Sequence, residues 1–131
     1  MDNLLGSTGV MIQEFMPEIA GDGEWSVMFF GEQFSHAVKK HAADGDFRVQ
    51  EEHGGRYRLE SNPPATMIRQ AHDVLATIKE ALLYARVDGI VRGGQFILME
   101  LELLEPALFF DVAPSAAKRF SERVVGLMSV R

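Results

Sequence analysis

The stretch from Tyr84 to Phe110, YARVDGIVRGGQFILMELELLEPALFF, constrains this chain more than any other. Two runs of apolar, β-branched and aromatic residues flank Gly93-Gly94, a pattern that predicts a β-hairpin. Acidic residues interrupt these runs at three positions: Asp88, Glu100 and Glu102. Buried carboxylates repel one another and lose hydration, so a positive group must offset them. That group is either Arg86 or a divalent metal ion held by oxygen ligands.

The length of the hairpin loop decides whether the acids share a surface. A two-residue turn at Gly93-Gly94 would pair Asp88 with Met99 and turn Glu100 to the opposite face. A three-residue loop over residues 93–95, with a glycine at positive φ, shifts the register by one. The shifted register puts two facing pairs on one surface: Asp88 with Glu100, and Arg86 with Glu102. We therefore predict the three-residue loop, because it alone accounts for the acids as a group.

Length and composition predict one globular domain. The chain has 131 residues, 47% of them hydrophobic. No apolar run approaches the roughly 20 residues that span a bilayer, and the opening residues lack the pattern of a signal peptide. The chain has no cysteine, which excludes disulfides and thiolate metal sites and agrees with a cytoplasmic location. A net charge of −6 argues against general nucleic-acid binding. We therefore expect no nucleic-acid or membrane partner.

The first half of the chain reads mainly as strands. Residues 1–9 are predicted to be a flexible lead-in, and residues 10–16 (VMIQEFM) a short buried strand. Residues 25–30 and 34–40 are predicted to pair as a hairpin around Gly31-Glu32.

The second half adds two helices. Turn residues at 44–46, a brief extended piece at 47–50 and a polar loop at 54–62 lead to a helix from Pro63-Pro64 to about Leu83. Pro114 is predicted to lie in the first turn of a final helix. The two apolar helix faces are Met67, Ile68, Ala71, Leu75, Ile78 and Leu82, and Ala117, Phe120, Val124, Leu127 and Met128. The predicted fold class is α+β, a mainly antiparallel sheet with helices packed on one face.

Five stretches, in order, resemble the C-terminal part of an ATP-grasp ligase, closest to the glutathione-synthetase-like and cycloserine-biosynthesis groups. They are MIQEFMPEI, GEWSVMFF with FSHAVKK, GDFRVQEEHGG, YARVDG and MELELLEP. The resemblance runs from about Val10 to Phe120. It implies that residues 10–131 form the C-terminal lobe of that fold, without the first nucleotide-binding lobe and the preceding domain.

The resemblance also implies an activity. ATP-grasp ligases join a carboxylic acid to an amine: ATP phosphorylates the carboxylate, and the nucleophile then displaces phosphate from the acyl phosphate. The expected ligands are therefore ATP, Mg²⁺ or Mn²⁺, a small carboxylic acid and an amine. Such an enzyme must bring the metal to the phosphates and stabilise charge on the transferring phosphoryl group.

The nucleotide-binding residues of the family match positions in the first half of this chain. The adenine-binding strand of the family matches four residues: Gln13, Glu14, Phe15 and Met16. Glu24 matches the ribose-binding acid, and Glu18 is the alternative, because the length of the loop between them does not separate the two. Lys40 and Arg48 match the basic residues that meet phosphates or the acyl phosphate, and the planar fork of an arginine suits that task.

The metal-binding residues of the family match positions in the central hairpin of this chain. Asp88, Glu100 and Glu102 would bridge magnesium to ATP oxygens, and Arg86 matches the arginine that steadies the transition state. Many members of the family have Glu-x-Asn where this chain has Glu-x-Glu. A second carboxylate still binds magnesium, but its added charge leaves one or two metal ions open.

The histidines show no metal-ligand spacing. The four are His36, His41, His53 and His72. His36 and His53 are candidates for the substrate side of the cleft, although a polar surface position is the more common one for such residues.

The resemblance begins near the adenine strand, and GSTG at residues 6–9 is too short for the glycine-rich loop of the first lobe. We therefore expect this polypeptide alone to bind ATP weakly and not to turn over, with a missing lobe or a second copy as its partner. The alternative function is a non-catalytic module for protein interaction or dimerisation, because the apolar surface that faces the first lobe would attract partners.

Overall fold

The computed structural model describes residues 12–43, 45–46, 48–49 and 54–129, and within them five strands form one antiparallel sheet. The strands are β1 (Glu24–Phe30), β2 (Gln33–His41), β3 (Arg56–Glu60), β4 (Tyr84–Arg92) and β5 (Gln95–Glu102), in the spatial order β3-β2-β1-β4-β5. The helices are α1 (Ala65–Leu75), α2 (Pro114–Met128) and a short 3-10 helix (Pro17–Ile19). This is the α+β class predicted from the sequence. No helix in the described ranges is long and apolar enough to cross a membrane.

Strand β1 lies at the centre of the sheet, and all seven of its residues are buried. Because successive side chains along a strand point to opposite faces of the sheet, the residues of β1 lie in two different environments. Trp25, Val27 and Phe29 enter the main apolar core together with Met67 and Ala71 of α1. Full burial of a large apolar side chain stabilises the fold by about 1.5–3 kcal/mol. The alternate residues of β1 point to the other face, where the charged side chains lie.

Helix α2 packs around the ring of Phe30 at the end of β1. The rings of Phe30 and Phe120 are 5.2 Å apart between centroids. The helix begins at Pro114 as predicted. Its predicted apolar face is only partly buried, because Leu127 and Met128 are 46% and 72% exposed. The prediction that these two residues pack inward is wrong, since Phe120, the last residue of α2 in the core around Phe30, lies about two turns before them.

The hairpin of β4 and β5 has the predicted pairing but a different loop. Arg92 pairs with Gln95, which leaves a two-residue turn. Gly93 and Gly94 have φ values of +58° and +81°, as the favoured two-residue turn with both central residues at positive φ requires. The predicted three-residue loop is therefore wrong. A β-bulge at Met99 supplies the extra residue instead. Beyond the bulge the predicted facing pairs are confirmed: Asp88 with Glu100, and Arg86 with Glu102.

The segment before the 3-10 helix is not the buried strand that was predicted. Residues 12–16 form no strand, and Ile12 and Phe15 are 76% and 58% exposed. Gln13 donates a hydrogen bond to Met99 Sδ at 3.2 Å, which places the segment beside the bulge of β5. Apolar content favours burial, but more than half of each of these two residues is exposed. The predicted lead-in and the first two residues of the predicted strand lie outside the described residues.

Strand β3 was predicted to be a polar loop. Its sequence, RYRLE, lacks an alternating apolar pattern because β3 lies at the edge of the described sheet, beside β2. Charged side chains on an edge strand hinder pairing with other chains. Of the extended piece predicted at 47–50, Arg48 and Val49 lie in no strand and the other two residues are not described, nor is Asp44 of the predicted turn.

Helix α1 ends at Leu75, about two turns before the predicted end near Leu83. The backbone N–H and the hydroxyl of Thr77 both donate to the carbonyl of Val74, at 3.2 and 2.7 Å. These bonds close the helix. Leu82 packs against the main core from the following loop, so its apolar character reflects burial without helical structure.

We expect Gly89→Ala to destabilise the fold by about 1–3 kcal/mol. A Cβ atom at Gly89 would lie 2.5 Å from the backbone oxygen of Ile97 and 2.4 Å from the ring of Phe96. Gly126→Ala in α2 is the matched control, because nothing lies within 4 Å of its Cβ position. There we expect a gain of about 0.5–1 kcal/mol. Urea denaturation of both variants measures the difference, and equal effects would contradict the tight contact at Gly89.

Candidate functional site

Seven polar side chains form a charged cluster on the face of the sheet away from α1. They are Glu24, Ser26, Lys40, Arg86, Asp88, Glu100 and Glu102, from strands β1, β2, β4 and β5. Residues two apart on a strand share a face, and directly paired residues on neighbouring strands share it too. The strand pairing therefore brings together residues that are up to 78 positions apart in the sequence.

Asp88 lies at the centre of the charged cluster and is 1% exposed. Lys40 Nζ lies 3.0 Å from its Oδ2 atom. Arg86 Nε and one terminal nitrogen of Arg86 lie 3.0 Å from Oδ1 and 2.9 Å from Oδ2. Charge-assisted bonds of this kind are stronger than neutral ones. Both oxygens of the buried carboxylate are therefore paired with cations.

Lys40 spans the central strand. Its Nζ atom reaches Asp88 on β4 and also Glu24 Oε1 on β1, at 3.1 Å. Because β1 lies between β2 and β4, the lysine side chain passes over β1. Burial raises the pKa of Glu24 above its usual value, and the neighbouring Lys40 offsets part of that rise.

Arg86 joins the two halves of the charged cluster. Besides Asp88 it binds the carboxylate of Glu102, and it donates to the carbonyl of Ala107 at 3.4 Å. Burial works to lower the pKa of Arg86, but the surrounding carboxylates outweigh it and raise that pKa. Burial raises the pKa of Glu102, and Arg86 lowers it in part.

Three acids have the spacing of a cation site. One carboxylate oxygen from each of Asp88, Glu100 and Glu102 lies within 4.8 Å of the other two. The charged cluster holds four carboxylates against two cations, so two negative charges are not balanced. Hard oxygen donors and this charge suit a divalent ion such as Mg²⁺.

A second observation points to a ligand. The hydroxyl of Ser26 is fully buried on the same face, and the described part of the chain offers it no hydrogen-bond partner. A carboxylate has about four lone-pair positions, so Asp88 has capacity to bind a metal beside its cations. The residues therefore fit a bound magnesium ion.

A loop that we call the strap, residues 103–113, borders the charged cluster. It is attached to β4 through Tyr84 and Arg86, which donate to its carbonyls at Leu104 and Ala107. It is attached to β3 through the Tyr57 hydroxyl, which donates to Asp111 at 2.7 Å.

Phe109 of the strap has a φ of +51°, an uncommon conformation for a bulky residue. Its ring lies between Arg86 and Tyr57, at 5.7 Å from the guanidinium carbon and 4.8 Å from the tyrosine ring. The strained residue thus covers one side of Arg86.

His36 anchors the middle of the strap. Its Nε2 lies 3.0 Å from the Leu108 carbonyl oxygen, and its Nδ1 lies 2.9 Å from Ser35 Oγ. Burial lowers the pKa of His36, and Arg119 acts in the same direction. A neutral ring that donates from Nε2 to Leu108 satisfies these contacts. The sequence favoured a surface position for this histidine, but it is 6% exposed. A bulge at Ser35 turns it to the cluster face.

The two candidate ribose-binding acids lie in different places. Glu24 belongs to the charged cluster, whereas Glu18 accepts two hydrogen bonds from Arg92 at the far end of β4, one of them at 2.9 Å. The bond from Arg92 lowers the pKa of Glu18 to about 2.

The other residues predicted to contact the nucleotide are not members of the charged cluster. Gln13, Glu14 and Phe15 are exposed, and Met16 is buried. Arg48 is exposed and binds Asp46 through its side chain, with a shortest distance of 2.7 Å.

The remaining histidines have separate environments. His72 packs against the ring of Phe29, 5.9 Å away between centroids. His41 is half-buried, and His53 lies outside the described residues. Sequence reasoning missed Ser26, although its place two residues after Glu24 puts it on the same face of β1.

A cleft of about 660 Å³ opens at the other end of the sheet. The β1–β2 turn, the end of α1 and Arg123 of α2 line it. It shares no lining residue with the charged cluster. The charged cluster is the better candidate because it combines buried charge, an unpaired hydroxyl and the spacing of metal ligands.

Comparison with solved structures identifies the fold. The chain is similar to D-cycloserine synthetase DcsG, with 24% identity and a TM-score of 0.70 over 86% of this chain. It is also similar to D-alanine–D-alanine ligase from Bacillus anthracis complexed with ATP, with 19% identity and a TM-score of 0.55 over 81%. A second structure of that ligase has a TM-score of 0.54. This is the fold of part of an ATP-grasp ligase.

The ATP-grasp resemblance predicted from the sequence is thus confirmed at the level of fold. The chain spans 40% of the length of the synthetase and 36% of that of the ATP-bound ligase. No family model and no curated protein matches the sequence.

We expect His36→Leu to destabilise the protein by about 1–3 kcal/mol, because the Leu108 carbonyl loses its donor. The wild type should also lose stability as the pH falls below 6.5, the ordinary pKa of the ring. The folded pKa is lower than the unfolded one, so the unfolded chain binds the proton more readily. Urea denaturation between pH 5 and about 8 measures both effects. A variant with the same pH dependence as the wild type would contradict this role of His36.

Proposed function

We propose that this chain is the ATP- and metal-binding part of an ATP-dependent ligase that joins a carboxylic acid to an amine through an acyl phosphate. The observation that carries the proposal is the charged cluster, a group of acids and cations around the buried Asp88, with excess negative charge, on a sheet of ATP-grasp fold. One of the similar ligases was solved in complex with ATP. The acid and amine substrates are small molecules in this proposal.

Asp88, Glu100 and Glu102 would hold Mg²⁺ or Mn²⁺. A bound divalent ion supplies positive charge that offsets the charge of the phosphates. Asp88 is the most buried of the three acids and Glu100 is exposed. Asp88 therefore fixes the position of the site, and Glu100 is open to solvent and to an incoming ion.

Lys40 and Arg86 would bind phosphate oxygens. Ion pairs hold both cations beside the three acids. Lys40 is paired with Glu24 and Asp88. Arg86 is paired with Asp88 and Glu102. An anion that approaches the charged cluster meets two preplaced cations. Arg86 would stabilise charge on the transferring phosphoryl group. Arg48 is proposed to meet the phosphate or the acyl phosphate from its loop.

The nucleoside would lie at the edge of the charged cluster. Residues 13–16 belong to no strand of the described sheet. In this proposal their backbone groups meet the edge of the purine, as the resemblance implies. We place the ribose at Glu24 in preference to Glu18, because the fork of Arg92 holds Glu18.

The 131 residues by themselves are expected to bind ATP weakly and to show no ligase turnover. In the proposed enzyme ATP lies between two lobes, and this chain spans less than half the length of the similar ligases. A module for protein interaction is the second candidate, favoured by exposed apolar side chains at Ile12, Phe15, Leu98 and Leu104.

We expect titration of Mn²⁺ or Mg²⁺ into the protein to give saturable binding, read by calorimetry, that strengthens when ATP is present. Glu100→Gln should weaken the binding without loss of folding, because Glu100 is exposed. The double variant Asp88→Asn, Glu100→Gln should abolish it.

The charge-matched control is Asp73→Asn, Glu122→Gln, which removes two acids from exposed helix positions. This control should bind the metal as the wild type does. Flat traces from the wild type, or equal losses in the control and the cluster variants, would overturn the proposal and favour the interaction module.

A further inference from the structure

Among the described residues, one buried polar side-chain atom has no hydrogen-bond partner, the hydroxyl oxygen of Ser26. Its residue is 0% exposed, on the central strand of the sheet. Nearly all buried hydroxyls in proteins are hydrogen-bonded, and leaving one unpaired costs stability. An unpaired hydroxyl within the charged cluster therefore requires a physical explanation.

Ser26 has an acceptor and a competing donor as neighbours on the cluster face. Ser26 is paired directly with Asp88 across β1 and β4, so their side chains are neighbours on one face. The Asp88 oxygens already accept bonds from Lys40 and Arg86. Lys40 reaches Asp88 by passing over β1, the strand that carries Ser26. Lys40 and Ser26 thus adjoin the same carboxylate, and Lys40 is the one that donates to it.

We propose that Ser26 is a positioning residue that donates a hydrogen bond to Asp88 when Lys40 leaves Asp88 for a phosphate oxygen. The inference rests on the proposed function, because it needs an anionic ligand that attracts Lys40. The hydroxyl replaces the lysine as a donor, so Asp88 keeps its place while its negative charge becomes available to a metal ion. In this proposal the Ser26 hydroxyl forms its hydrogen bond only when the anionic ligand is bound.

We expect Ser26→Ala to have opposite effects on the stability of the protein and on its binding of Mn²⁺ with ATP. Without ligand the variant should be as stable as the wild type or more stable, because it removes an unpaired buried hydroxyl. Binding of Mn²⁺ with ATP should be about fivefold to tenfold weaker, because the variant cannot hold Asp88 in the bound state. A residue with a merely structural hydrogen bond would instead destabilise the ligand-free protein when truncated.

A double-mutant cycle tests the exchange of donors without any ligand. In a Lys40→Met background the lysine no longer reaches Asp88, and the Ser26 hydroxyl can donate to it. Ser26→Ala should then lower the melting temperature, although the same change has no such effect beside the native Lys40. Additive effects of the two substitutions would overturn the proposal.

The two arms separate the failure of this inference from that of the proposed function. The binding arm uses the wild type, Ser26→Ala and the surface control Ser121→Ala, titrated with Mn²⁺ and ATP. If the wild type binds and Ser26→Ala binds equally well, the inference is wrong and the proposed function stands. If the wild type does not bind, both fall, and a coupling seen in the cycle would then describe a structural contact alone.

Discussion

The carboxylate of Asp88 is the group on which the functional face of this protein depends. It is held in the sheet without access to water, and two cations from different strands make that placement possible. Removal of one partner from a buried ion pair typically costs about 3–5 kcal/mol, because the remaining charge is left uncompensated. The positions of Lys40 and Arg86 are therefore tied to the central aspartate. Glu24 and Glu102 are tied to it in turn through those cations.

Two β-bulges determine which side chains reach this face. The bulge at Ser35 places His36 opposite Met28, and the bulge at Met99 places Glu100 opposite Asp88. A shift of one residue moves every later side chain to the other face of a strand. Without the bulge at Met99, Glu100 and Glu102 would face the side that α1 covers, away from Lys40 and Arg86. The sheet irregularities are thus part of the site, and they also place the histidine that anchors the strap.

Much of this arrangement could be predicted from residue types and spacing. The hairpin, the shared face of Arg86, Asp88, Glu100 and Glu102, and the α+β class followed from period-two patterns and from the need to compensate buried acids. The predicted loop was wrong because a loop residue and a bulge residue shift the register equally. Strand β3 was missed because an edge strand needs no alternating pattern. The exposure of Ile12 and Phe15 was missed because apolar content does not show what surface is available to cover a segment.

The sequence by itself determined the order of the main elements, the central hairpin and the residue types on the charged face. These follow from local propensities and from alternation, which act within a few residues. Only the tertiary structure decided that Lys40 crosses β1 to Asp88, that His36 is buried under the strap and that the Ser26 hydroxyl has no hydrogen-bond partner among the described residues. The physical reason is that each of these depends on distances between strands far apart in the chain, and such distances are set by the packing of the whole sheet.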